Sequence, residues 1–197
     1  MEKLRRIFGE GWSITFVFVI VGFILSVEFR QEDNLDEPDY ATTKKIITDL
    51  KLKACLLPLE GQGVVVIMDD SSRAVSMGEN PNLYVIHDDD ILRVINELRA
   101  AGAEAISING QRLIATSEIR CAGPTLSVNN VRSAPPYEIS AIGDKKTLEN
   151  SLKMRGGVED TLSVWGIQLE IKTSDEIYIP PYDGSFHHVF AKVAVKK

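Results

Sequence analysis

The sequence is poor in the residues that most often carry chemistry or covalent crosslinks. It contains two cysteines and three histidines in 197 residues, too few for a disulfide framework and a poor supply for a structural zinc site. Basic residues are in the minority, with 22 Lys and Arg against 28 Asp and Glu and a net charge of −6. Because nucleic-acid binders present a positive surface to phosphates, this balance argues against a nucleic-acid partner.

Motifs of the common enzyme and nucleotide-binding classes are missing too. No Ser-x-x-Lys, Gly-x-Ser-x-Gly or His-Glu-x-x-His string occurs. Gly61-x-Gly63 precedes a predicted strand instead of following one and opening a helix, so it is not a dinucleotide fingerprint. The sequence therefore predicts no cofactor, no metal ion and no catalytic residue.

What the sequence does contain is a single long apolar run near its N-terminus. Residues 12–27 carry no charged side chain, with three basic residues before them and six acids between 28 and 39. With its flanks the run is about 25–28 Å long as a helix, enough for a thin bilayer core. Because basic residues stay on the cytoplasmic side, we expect a transmembrane anchor over 11–29 with the N-terminus inside. No small-x-small cleavage site follows, which argues against a cleaved signal peptide.

The rest of the chain divides into a linker and a domain of ordinary globular composition. We assign 1–10 to the cytoplasmic N-terminus, 30–57 to an acidic linker with a short helix, and 58–197 to an extracytoplasmic α/β domain. The linker helix, predicted over 42–57, has barely two heptads. We therefore predict that this helix packs on the domain or continues the linker as a stalk. The alternative is a helix that pairs weakly with that of a second copy.

Helix and strand signals alternate along the predicted domain. Strands are predicted at 63–69, 105–108, 137–142 and 167–172, with 177–179 extended, and helices at 87–102, after Asp144 and after Gly157. Residues 116–124 are predicted to form a loop, and a hairpin turns at Asn129-Asn130. This order predicts an α+β fold, a ferredoxin-like βαββαβ plait with an inserted hairpin or loop, after one N-terminal transmembrane helix. Residues 189–195 are expected to add a C-terminal extra strand.

Several long strings carry a family resemblance. They lie at 82–90, 96–112, 119–124, 134–137, 141–144 and 174–177, and include Asn-Leu-Tyr-Val-Ile-His-Asp-Asp-Asp and Ile-Arg-Cys-Ala-Gly-Pro. Together they closely resemble the bacterial family of unknown function numbered 881, often labelled "division initiation protein", over roughly residues 60–197. The resemblance implies a single-pass membrane protein with an outer ferredoxin-like domain, encoded in Gram-positive bacteria near division and cell-wall genes.

Two groups of reactive side chains have ordinary structural explanations. His87-Asp88-Asp89-Asp90 offers metal ligands, but adjacent residues on a helix do not converge on one point, so we expect an N-cap at Asp88 instead. A catalytic cysteine needs a neighbouring base, and the sequence places none beside Cys121. We therefore expect Cys121 to be a small packed residue rather than a nucleophile. A bond between Cys55 and Cys121 stays open, because the sequence does not give their geometry.

Polar loop segments give the best candidate for a ligand or partner pocket. Its residues are Asn109, Gln111, Arg112, Arg120, Cys121, Arg132 and Tyr137. A guanidinium group suits carboxylate or phosphate, so the gathered arginines would bind an anionic wall ligand or an acidic protein segment. The structural alternative pairs these arginines with Glu104, Glu118 or Glu138.

These observations predict a non-enzymatic, membrane-tethered interaction or ligand-sensing module that supports cell division or cell-envelope assembly. The expected partners are the cytoplasmic membrane, proteins of the division or wall machinery, an anionic wall ligand and a second copy of the chain, with no nucleic acid. The alternative is an envelope enzyme, a hydrolase of wall material that uses Cys121 or a paired carboxylate.

Overall fold

The computed structural model describes residues 17–26, 40–186 and 189–194. Its contacts divide the chain into two units, one up to Leu50 and one from Lys51 onward. In the first unit residues 17–26 form a helix, α1, and the helix α2 begins at Tyr40 and ends at Lys53, just past the boundary.

The predicted N-terminal segments fall largely outside the described residues. Residues 1–10 and 30–39 lie outside them, as do both ends of the predicted anchor at 11–29. In the part of the chain that is described, no helix is both long and apolar enough to cross a membrane. The anchor therefore stays a prediction.

The second unit is a mixed α and β structure, as predicted. Its elements are β1 (Leu59–Asp69), α3 (Asp88–Ala100), β2 (Ala105–Ile108), β3 (Gln111–Arg112), β4 (Ile119–Cys121), β5 (Leu126–Val128), β6 (Val131–Ser133), β7 (Tyr137–Ile142), α4 (Lys145–Leu152), α5 (Val158–Ser163) and β8 (Gln168–Ile179). A five-stranded sheet has the order β3-β2-β7-β1-β8, and a three-stranded sheet has the order β4-β5-β6. Neighbouring strands in both sheets are antiparallel.

The main hydrophobic core lies between the helices and one face of the five-stranded sheet. Ile91, Val94, Ile95 and Leu98 of α3 recur at the spacing of one helix face and are fully buried. They share one cluster with Leu148 and Leu152 of α4 and with alternate residues of β1, β2 and β7. A smaller cluster, built from Ala105, Ile142, Ile177 and Ile179, covers part of the opposite face of the sheet. Both helices therefore lie on the same side of the sheet.

Two predicted tight turns are confirmed. Asn109 and Gly110 have φ angles of 46° and 76°, and they join β2 to β3. Asn129 and Asn130 have φ angles of 51° and 63°, and they join β5 to β6. Two consecutive residues in the left-handed region match the right-handed twist of the strands that they connect.

Three strand predictions are corrected. The loop predicted over 116–124 contains β4, so the insert is a three-stranded sheet rather than a hairpin alone. The segments predicted at 167–172 and 177–179 belong to one strand, β8. The predicted C-terminal extra strand is wrong for the described residues 189–194, which pair with no strand; Phe190 and Val193 there are more than nine-tenths exposed.

Candidate functional site

The structure brings Cys121 and His87 together at the N-terminus of α3. The Sγ atom of Cys121 lies 3.8 Å from Nδ1 of His87. The backbone of Cys121 is fixed because its N–H donates to Oδ2 of Asp88 at 3.0 Å, while the Asp88 N–H donates to the sulfur at 3.4 Å. Strand β4 is thus held against the first turn of α3.

The other nitrogen of the His87 ring faces a backbone carbonyl. Nε2 lies 2.8 Å from the carbonyl oxygen of Asn82. If this nitrogen carries the proton and donates to that oxygen, Nδ1 is left as an acceptor that faces the thiol. His87 can therefore hold one orientation and one tautomer beside Cys121.

The helix cap differs by one residue from the prediction. The N-cap of α3 is His87, not Asp88, and Asp88–Asp90 form the first helical turn. The His87 N–H donates to Oδ2 of Asp90 at 3.0 Å. Asp88 is not the cap because the backbone is extended at His87 and already helical at Asp88. The Asp88 carboxylate accepts a hydrogen bond from Cys121 on another element.

The environment of Cys121 keeps its sulfur protonated. Burial raises the pKa of the Cys121 thiol, and the negative charges of Asp88 and Asp89 raise it further. The hydrogen bond from the Cys121 N–H lowers the pKa of Asp88, so this carboxylate stays charged beside the sulfur. A neutral thiol is a poor nucleophile.

Two cavities flank the segment that carries His87. The larger measures about 360 Å³ and is lined by Asp70, Asn82, His87, Cys121, Thr125 and Pro135, among others. The smaller measures about 240 Å³ and includes His87, Arg93 and Trp165. His87 and Asn82 line both, so the two form neighbouring parts of one groove, called the His87 groove below. A group of three or more metal-ligating side chains is not found within the described ranges.

Arg120 and Arg132 are exposed and lie on either side of Ser127, which is 3% exposed, on one face of the small sheet. Arg120 of β4 and Arg132 of β6 both pair with Ser127 on the central strand, so all three side chains point to the same side. The inner face of that sheet carries Leu126 and Val128, which are buried in the main core. Both arginines are exposed, and neither takes part in an ion pair with a described residue. Arg120 and Arg132 together are called the arginine row below.

Arg112 occupies a different environment from the arginine row. It lies in β3, is 4% exposed, and lines a cavity of about 110 Å³ with Cys55 and Glu104. Among the described ion pairs none joins Arg112 to Glu104, Glu118 or Glu138. The arginines predicted for one pocket therefore lie in two environments.

The other predicted pocket residues serve the fold. Oδ1 of Asn109 accepts from the Glu138 N–H at 2.7 Å and so ties the β2–β3 turn to β7. Gln111 pairs with Ile108 in the edge strand. Tyr137 is 1% exposed in the main core, and burial raises its pKa.

Sequence reasoning missed the role of His87 as the neighbour of Cys121. The residues are 34 positions apart, and only the packing of β4 on the start of α3 brings them together. A signal was present, since three acids after a histidine mark the start of a helix. Nothing in the sequence says which strand packs there.

Known proteins resemble this chain over most of its folded part. Residues 46–192 match the family described as "Bacterial protein of unknown function (DUF881)". The UPF0749 protein YlxW of Bacillus subtilis is 39% identical over 123 residues, which are 62% of this chain and 53% of that protein. The UPF0749 protein Rv1825 of Mycobacterium tuberculosis is 28% identical over 163 residues, 81% of this chain and 52% of that protein. The chain thus spans about half the length of these relatives.

A solved structure has a similar fold. The crystal structure of an uncharacterized conserved protein from Mycobacterium tuberculosis aligns with a TM-score of 0.60 and 27% sequence identity, covering 75% of this chain and 99% of that one. The family match extends over far more than half of the sequence. This chain therefore belongs to the DUF881 family of bacterial proteins of unknown function.

Proposed function

We propose that the chain is a non-enzymatic interaction and ligand-binding module, tethered to the outer face of the cytoplasmic membrane, that supports cell division or envelope assembly. The tether is supported by the uncharged run at 12–27, with basic residues before it and acids after it. The cellular role is supported by the resemblance of its sequence strings to a family labelled for division. The raised pKa of the Cys121 thiol favours binding over catalysis.

The observation that carries this proposal is the arginine row. Two strand spacings separate Arg120 from Arg132, so their Cα atoms are about 10 Å apart. Unpaired arginines on one face of an acidic protein can each form paired hydrogen bonds with a carboxylate or phosphate. A partner that repeats its anionic groups, such as an acidic protein segment or a wall polymer, fits both at once.

The proposal includes a ferredoxin-like arrangement for the domain. Without the edge strand β3, the large sheet has the order β2-β7-β1-β8. Helix α3 connects β1 to β2, and α4 and α5 connect β7 to β8. Both connections pack on one face of the sheet, as a split βαβ plait requires. The small sheet is then an insert that carries the arginine row to the surface.

The arginine row is tested by crosslinking in living cells. A photoreactive residue at Ala134, an exposed position two residues after Arg132, should capture an envelope component in dividing cells. The double variant Arg120→Ala, Arg132→Ala should lose the adduct with an unchanged unfolding midpoint. Arg155→Ala, an exposed arginine on another surface segment, is the matched control and should keep it. An adduct that survives the double variant contradicts the proposal.

The position of the domain is tested with a reporter enzyme that is active only outside the cytoplasm. Fused after Lys197, it should be active, and a reporter confined to the cytoplasm should be silent at the same position. The opposite pattern would place the domain on the inner side.

A second candidate function is a thiol hydrolase of the envelope. It is favoured by the distance of 3.8 Å between the Cys121 sulfur and the His87 ring, since a nucleophile needs a base within reach. It is opposed by the raised pKa of the thiol. Loss of the cellular function in Cys121→Ala, with the crosslink at Ala134 retained, would favour the enzyme over the binding module.

A further inference from the structure

The guanidinium group of Arg112 is buried without an ion-pair partner among the described residues. Its Nε and Nη1 atoms are buried and have no hydrogen-bond partner in the described part of the chain. Removing an arginine from water without a partner is strongly unfavourable, so buried charges in folded proteins are paired or bind an ion.

The backbone around Arg112 holds the side chain in place. Its carbonyl accepts from Nδ2 of Asn129 at 2.9 Å, and the N–H of Leu113 donates to Ile106 at 2.9 Å. Arg112 faces the same side of the sheet as its partner Ser107, whereas Leu113 belongs to the main core. The edge strand is thus hydrogen-bonded on both sides, which fixes the backbone that carries the guanidinium group.

Part of the group is open to a cavity. The third nitrogen, Nη2, is not among the buried unpartnered atoms and has no described hydrogen bond, so it retains access to solvent. The cavity that Arg112 lines measures about 110 Å³. This is more space than a single water molecule needs.

The other walls of the cavity suit an organic anion. Arg99 at the end of α3 adds a second cation, while Glu104 contributes one opposing carboxylate. Ala103, Ala105 and Leu113 supply apolar surface, which favours an ion with an aliphatic end over a fully hydrated phosphate.

We propose that Arg112, assisted by Arg99, binds the carboxylate of a small organic acid or of a peptide chain end in this cavity. The site lies at the β3 edge of the large sheet and is distinct from the His87 groove and the arginine row. The inference does not rest on the proposed function, because it needs neither the tether nor those surfaces.

The test uses the full chain in detergent and measures its thermal midpoint in sodium acetate and in sodium chloride at equal ionic strength. Acetate should raise the midpoint saturably above its value in chloride. Arg112→Met should abolish the rise, because it removes the charge and keeps an unbranched side chain. Arg155→Met, at an exposed arginine outside both this cavity and the arginine row, is the matched control and should respond as the wild type does.

Two further probes identify the ligand. N-acetylalanine carries a free carboxylate on a peptide-like body, whereas N-acetylalanine amide lacks the charge. Tighter binding of N-acetylalanine than of acetate assigns a peptide end, equal binding assigns a small acid, and a response to the amide overturns the proposal. An Arg112-dependent response to phosphate that exceeds the response to acetate overturns the choice of a carboxylate.

The proposal stays testable if Arg112→Met does not fold. In the isotope-labelled wild-type chain, acetate should shift the Nε–H resonance of Arg112 more than that of the exposed Arg155. Equal small shifts at both arginines, or an acetate effect no larger than that of chloride, would overturn the site.

Discussion

Cys121 illustrates how neighbours decide the chemistry of a single residue. A histidine ring and the N-terminus of α3 stand beside its sulfur, and both arrangements commonly activate a thiol. Burial and the carboxylates of Asp88 and Asp89 act in the opposite direction and raise the pKa of the thiol.

This balance predicts slow alkylation of Cys121 near neutral pH. The pH midpoint of its reaction with iodoacetamide, read by peptide mass spectrometry to separate it from Cys55, should lie above that of free cysteine. Asp88→Asn should lower the midpoint, since the amide still accepts the hydrogen bond but carries no charge. Asp175→Asn, on the distant strand β8, should leave it unchanged. A midpoint below that of free cysteine would instead indicate an activated nucleophile.

The helix N-caps show how far the sequence predicts the role of a single residue. Asp144 was predicted to cap α4, and its Oδ1 accepts from the Thr147 N–H at 2.9 Å. The predicted cap at Asp88 is wrong by one residue, because the backbone is still extended at His87 and Asp88 already belongs to the first helical turn. The Asp88 carboxylate instead accepts a hydrogen bond from the N–H of Cys121 on a remote strand.

At the scale of elements, β1 depends on its glycines. A Cβ atom at Gly63 would lie 1.9 Å from the carbonyl oxygen of Ala141, a backbone atom of the neighbouring strand. At Gly61 it would lie 3.1 Å from the side-chain Cγ2 of Ile142, which can move. The register of β1 with β8 shifts between these two glycines. The strand is therefore irregular at the positions where it has no side chains to accommodate.

Alanine at these two positions should therefore have unequal effects. Gly63→Ala should reduce the free energy of unfolding by about 3 kcal/mol, because the β1–β7 pair must separate to admit the methyl group. Gly61→Ala should cost less than about 1 kcal/mol. Urea unfolding of both variants measures the difference, and equal losses would contradict the close approach of β7 at Gly63.

The strand predictions are wrong where hydrogen bonding to a neighbouring strand outweighs the composition of the segment itself. The polar residues Ser174-Asp175-Glu176 suggest a break, and the pairing of β8 with β1 does shift its register there. Strand β8 continues because the eleven-residue strand β1 pairs with it on both sides of this shift. Strand β4 has three residues and owes its conformation to the hairpin β5–β6. The sequences of β8 and β4 do not by themselves identify β1 and β5 as the strands that pair with them.

For the whole molecule, the unit from Lys51 onward contains both hydrophobic clusters. A chain that begins at Lys51 should therefore fold on its own and unfold cooperatively, as measured by circular dichroism. It should remain in buffer without detergent, whereas the full chain should be recovered with membranes. Loss of cooperative unfolding in the shorter chain would show that the first unit is needed for folding. A full chain that remains in buffer without detergent would contradict the tether.

The sequence by itself determined the α+β class, the amphipathic helix α3, the asparagine turns and the family, because periodicity, left-handed turn residues and long matching strings are local properties of the chain. Tertiary structure alone decided that Cys121 faces His87, that Arg120 and Arg132 share a face, and that Arg112 is buried without a partner. These relations join residues on different elements, and they depend on which strands pair and which helix covers them.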